Sequence, residues 1–82
     1  MNPVLKARAN RPTSFRGTPI VWVKIEPTDE AFLVLGLDEH GAPISDTWHL
    51  TLVEAQRQAQ LQFGVTEADW VEEPSLDAFR QA

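Results

Sequence analysis

Cysteine is absent from the 82 residues. Disulfides, thiolate metal sites and cysteine nucleophiles are thereby excluded, and a reducing cytosol is the compartment this suits. Histidine is scarce: His40 sits in a turn and His49 just before a helix cap. Hairpin geometry holds the two apart, so shared metal ligation is not expected, and Asp38, Glu39 and His40 bring too few oxygens for a hard cation. There is no glycine-rich phosphate loop. Ser14, Ser45 and Ser75 lack a recognisable histidine partner, and no carboxylate pair falls in an evident pocket. No segment reaches the ~18 apolar residues of a bilayer span, and Met1 to Arg16 has no apolar core of the signal-peptide kind. These absences predict a cytoplasmic protein with no enzymatic activity, cofactor, metal or membrane contact.

What is present is enough to fold. Hydrophobic residues make up 43% of the chain, with three Trp and four Phe. That composition can offset chain ordering, in one small domain whose core gives only a few kcal/mol of net stability. The net charge of −5 is uneven. Met1 to Gly17 carries Lys6, Arg8, Arg11 and Arg16 and no acid; the remainder sets Lys24, Arg57 and Arg80 against all twelve acids. An acidic body repels phosphate backbones and argues against nucleic-acid binding by the folded part.

Residues 1–18 contain Pro3, Pro12 and Gly17 with no sustained period, and read as a flexible basic arm anchored by Val4, Leu5 and Phe15. Residues 19–82 form the domain. Ile20 to Glu26 is a β-branched strand ending at Pro27, followed by a turn over residues 27–30. Ala31 to Leu37 is a second strand, Asp38 to Gly41 a second turn, and Pro43 to His49 a more polar strand suited to a sheet edge. Thr51 and Glu54 form a capping box, Leu52 to Phe63 is rich in Ala, Gln and Glu, and Gly64 is the stop. At ~100° per residue, Leu52, Ala55, Ala59 and Phe63 share a narrow stripe with Leu61 opposite. Beyond Gly64, Thr66 to Asp69 can cap one helical turn, residues 70–72 can form a short strand before Pro74, and Ser75 to Phe79 can form a last turn.

A four-residue hairpin loop that sets Glu26 opposite Ala31 and Trp22 opposite Leu35 sorts the side chains into two faces. Ile20, Trp22, Lys24, Leu33, Leu35 and Leu37 share one; Val21, Val23, Ile25, Phe32, Val34 and Gly36 share the other. Both are apolar, where a solvated face would turn polar. In the third strand Ile44 and Trp48 share a face, and the loop at Gly41 decides which. One helix covers one face. The other needs Trp70, Val71, Leu76 and Phe79 from the C-terminal segment, a second copy, or a different partner. Trp48 and Trp70 read as core; Trp22 reads equally as core or as a contact residue beside Lys24.

Asp46-Thr-Trp-His-Leu-Thr-Leu-Val-Glu-Ala-Gln-Arg-Gln-Ala-Gln-Leu-Gln-Phe-Gly64 resembles a pattern in small uncharacterised bacterial proteins of a domain of unknown function. There, a tryptophan-ended strand leads into a Thr- or Ser-capped helix carrying Glu-Ala and Gln-Ala and ending in aromatic-Gly. The resemblance covers about a quarter of the chain. It implies a bacterial origin and a small α+β domain, and it carries over no activity.

The expected fold is α+β: a three-stranded antiparallel meander with one helix on a face (β-β-β-α) and a short C-terminal segment. The expected role is a non-catalytic protein-interaction or accessory module, such as an immunity or inhibitor protein. Trp22, Lys24 and Leu61 are its candidate contacts, with a protein partner or a homodimer through the second sheet face. The alternative is a nucleic-acid accessory factor using Lys6, Arg8, Arg11 and Arg16.

Overall fold

A computed structural model describes residues 3–73. In chain order the elements are β1 (Val4–Arg8), β2 (Ser14–Phe15), β3 (Thr18–Pro19), β4 (Trp22–Pro27), β5 (Phe32–Leu37), β6 (Pro43–His49), α1 (Leu52–Phe63), a 3-10 turn (Glu67–Asp69) and β7 (Val71–Glu73). β4, β5 and β6 form the expected meander, but it is part of a larger sheet. Five antiparallel strands run in the order β6-β5-β4-β1-β7, and β2 and β3 form a separate small hairpin.

The principal correction concerns the N-terminal residues. The stretch read as a flexible arm supplies β1, an interior strand between β4 and β7. Its physical basis is a two-residue period: Leu5 and Ala7 join the helix-side core while Lys6 and Arg8 point to the other face. Positive charge hid that alternation, because half of the strand's side chains are cationic.

The β4–β5 hairpin pairs two residues further along than expected. Glu26 lies opposite Leu33 and Trp22 opposite Leu37. Pro27 stays in the strand, and the turn closes through Thr28, whose N–H donates to the Ala31 carbonyl at 2.8 Å while its hydroxyl accepts from Ala31 N–H at 2.9 Å. An even shift keeps every side chain on its face. Ile20 is the exception. It precedes β4, turns to the helix side and is 6% exposed. There it crosses Gly36, where an added Cβ would stand 2.9 Å from Ile20 Cδ1 and 2.5 Å from Ser45 Oγ.

β6 spans the expected residues, but a bulge at Gly36/Leu37 places Gly36 opposite Ser45 and Leu37 opposite Pro43. The extra residue separates Ile44 from Trp48. Ile44 packs against the helix-side core, whereas Trp48 pairs with Leu33 on the opposite face and is 57% exposed. Trp48 is thus not core.

α1 begins where expected: Thr51 Oγ1 accepts from Glu54 N–H at 3.1 Å. It ends at Gly64, left-handed at φ 70°. Ala55, Ala59 and Phe63 are buried against Val23, Ile25 and Val34, and the two alanines bring the helix axis close to the sheet. Its last carbonyls are capped from far along the chain. Arg11 donates to Leu61 O, Thr13 to Gln62 O, and the Asn10 and Arg11 amides to Phe63 O. Trp70 also packs on this side, so it does not cover the second face. Leu76, Phe79 and the turn expected at Ser75–Phe79 lie outside the described residues.

Candidate interaction face

Strand pairing fixes which side chains stand away from the helix. One row across the sheet reads Asp46, Leu35, Lys24, Lys6, Val71 from β6 to β7. The flanking rows add Trp48, Leu33 and Glu26 on one side, and Leu37, Trp22 and Arg8 on the other. Among the described residues no layer crosses this face. Trp48 near one edge and Val71 at the other are 57% and 67% exposed, Trp22, Leu33 and Leu35 between them are half-buried, and Leu37 at one corner is buried.

Its electrostatics are locally arranged. Lys6 and Lys24 are direct cross-strand neighbours, a pairing of like charges that costs stability when left alone. Lys24 is held by Glu73 at 2.8 Å and by Glu26 at 3.8 Å. Lys6 instead lies over the Trp22 ring, 4.9 Å from its centroid, and Arg8 lies 5.4 Å from the same ring. Beside them a shallow hollow of about 350 Å³ is bordered by Lys6, Arg8, Trp22, Asp69, Glu72 and Glu73. Its mixed charges select neither an anion nor a cation.

Of the residues singled out from sequence, Trp22 and Lys24 are brought together here. Leu61 is not: it is 66% exposed on α1, a helix that covers the other side of the sheet. Lys6 and Arg8 join the face, whereas Arg11 caps α1 and Arg16 sits in the β2–β3 turn at φ 51°, 5.3 Å from the Phe15 ring. The four cations of the expected arm therefore form no continuous strip. His40 is at an exposed turn beside Glu39, and His49 Nε2 shares a hydrogen bond with Thr47 Oγ1 at 2.8 Å. Among the described residues no group of three or more His, Asp or Glu side chains could hold a metal ion, and no helix is long and apolar enough to cross a membrane. Sequence reasoning missed Glu73 as the partner of Lys24: the short strand read at residues 70–72 stopped one residue before it, whereas β7 runs Val71–Glu73.

Among the described residues, Asp69 is the acid displaced clearly from its ordinary range. The Thr66 N–H and hydroxyl donate to Asp69 Oδ2 at 2.8 and 2.9 Å and hold its pKa below the usual carboxylate range; burial acts weakly in the opposite direction, and Asn10 Nδ2 adds a bond at 2.8 Å. This triad ties the 3-10 turn to the loop after β1 and is structural.

No protein-family model, no curated protein and no solved structure matches this chain.

Proposed function

We propose that this protein is a non-catalytic interaction module, an accessory protein of the immunity or inhibitor kind, that docks protein on the open face of its sheet. The observation that carries the reading is the face itself. Leu33, Leu35, Trp22, Trp48 and Val71 present apolar surface on the side away from α1, with no second layer among the described residues. Apolar area of this kind is worth about 25 cal/mol per Å² when buried, and a small domain that leaves it wet forgoes stability it can ill spare. Interface hot spots are enriched in Trp and Arg, and Trp22 lies here with Arg8 and Lys6 over its ring.

The test is site-specific photo-crosslinking in cells. A benzophenone side chain at position 48 is expected to capture protein, while the same group at position 61 on the far side of α1 is not. Equal capture at both positions, or none at 48, contradicts the reading.

A further inference from the structure

The geometry points to a second copy of this chain as the occupant of the open face, packed sheet to sheet about a two-fold axis that runs along the strands between β4 and β5. The inference rests on the interaction reading above and names its partner. Two observations select a copy over other proteins.

The first is the charge balance. The face carries Lys6, Arg8 and Lys24 against Glu26, Asp46 and Glu73, three of each sign. Elsewhere among the described residues stand Arg11, Arg16 and Arg57 against eight acids, so the surplus of five negative charges lies off this face. Two acidic molecules of this chain repel one another through every approach that presents the surplus. The neutral sheet face is where they can meet.

The second is the order of charges along the central row. Asp46 stands on β6 at one end and Lys6 on β1 towards the other, with Leu35 and Lys24 between. Lys24 is satisfied by Glu73 and Glu26, whereas Asp46 and Lys6 have no ion-pair partner among the described residues. A two-fold along the strands keeps each row at its height and exchanges β6 with β1 and β5 with β4. Asp46 then faces Lys6 of the second copy, and Lys6 faces its Asp46. Leu35 lies over the Lys24 stem. A contact of this type is isologous, and sheets packed about 10 Å apart in an aligned sandwich bring such side chains within reach. The footprint spans four strands about 4.8 Å apart, roughly 300 Å² per copy in projection. That is well under the roughly 800 Å² per partner of a standard interface, so the dimer is expected to be weak and to form only as concentration rises.

Sedimentation velocity of the full chain tests this at about 2 and about 200 μM, a range that brackets weak association. A shift from monomer to dimer is expected. Asp46→Lys, at an exposed position, is expected to weaken the dimer about tenfold or more, because it sets a like charge against Lys6 of the second copy. The deficit is expected to shrink at high salt, with the thermal melt of the monomer unchanged. A monomer at both concentrations overturns the proposal, as does a dimer indifferent to Asp46→Lys. The crosslink at position 48 keeps the two claims apart. A product of twice the chain mass supports both. Capture of a different protein, with a monomer in sedimentation, retains the interaction reading and overturns the second copy. A crosslink from position 48 into residues 74–82 of its own chain overturns both.

Discussion

Lys6 and Lys24 stand directly opposite one another on β1 and β4, and each ammonium has its own counterweight: the Trp22 ring for Lys6 and the Glu73 carboxylate for Lys24. This makes β7 more than an added edge. Its last described residue neutralises a charge that the β1–β4 pairing places badly. Glu73→Gln is expected to cost about 0.5–1 kcal/mol in urea unfolding, because both side chains are partly exposed. In a Lys6→Met background the cost is expected to fall, since the opposing charge has gone. An unchanged cost in that background shows that Lys6 and Lys24 do not feel one another.

Arg11 Nη1 donates to the Leu61 carbonyl at 2.7 Å, placing a cation at the negative end of α1, which has no basic residue in its own last turn. Arg11→Met is expected to destabilise the protein by about 1 kcal/mol. Amide exchange is expected to accelerate in the last turn of α1 first. Uniform acceleration across the sheet instead places the role of Arg11 elsewhere.

Gly36 carries Ile20 and Ser45 across the space a Cβ would fill. Gly36→Ala is expected to cost about 1–3 kcal/mol by overpacking. Shortening the neighbour, in Gly36→Ala with Ile20→Val, is expected to recover part of it. No recovery shows that Ser45 is the limiting contact.

Asp69 titrates below the ordinary carboxylate range because Thr66 and Asn10 donate to its ionised form. A folded pKa below the unfolded value, about 3.9, adds stability that is fully present above the unfolded value and lost as pH falls through the folded one. Stability of the native chain is therefore expected to drop on acidification below about pH 4, and more steeply than that of Asp69→Asn. Parallel pH profiles for the two chains remove this assignment.

How much of this was legible in sequence depended on whether the signal was local. α1 was readable to the residue, because the Thr51 cap, the Ala55–Ala59–Phe63 stripe and the Gly64 stop each act within one or two turns. The turn at Asp38–Gly41 was equally readable; there Asp38 Oδ1 accepts from the His40 and Ala42 amides. β1 was not, since a strand of alternating Leu5, Lys6, Ala7 and Arg8 shows its period only against a neighbour that buries half of it. The side taken by Trp48 turned on one bulged residue at Ile44, and a single insertion reverses a face. The candidate contacts divided for the same reason: Trp22 and Lys24 share a strand, whereas Leu61 belongs to an element whose placement is tertiary.

The interface is read most directly from nuclear Overhauser effects between isotopically labelled and unlabelled copies mixed at high concentration. Contacts from the Leu35 methyls of one copy to the Lys24 stem of the other, and from the Leu33 methyls to the Glu26 stem, are predicted. Intermolecular contacts confined to Val53 and Leu61 on α1, or none at all, would contradict the account.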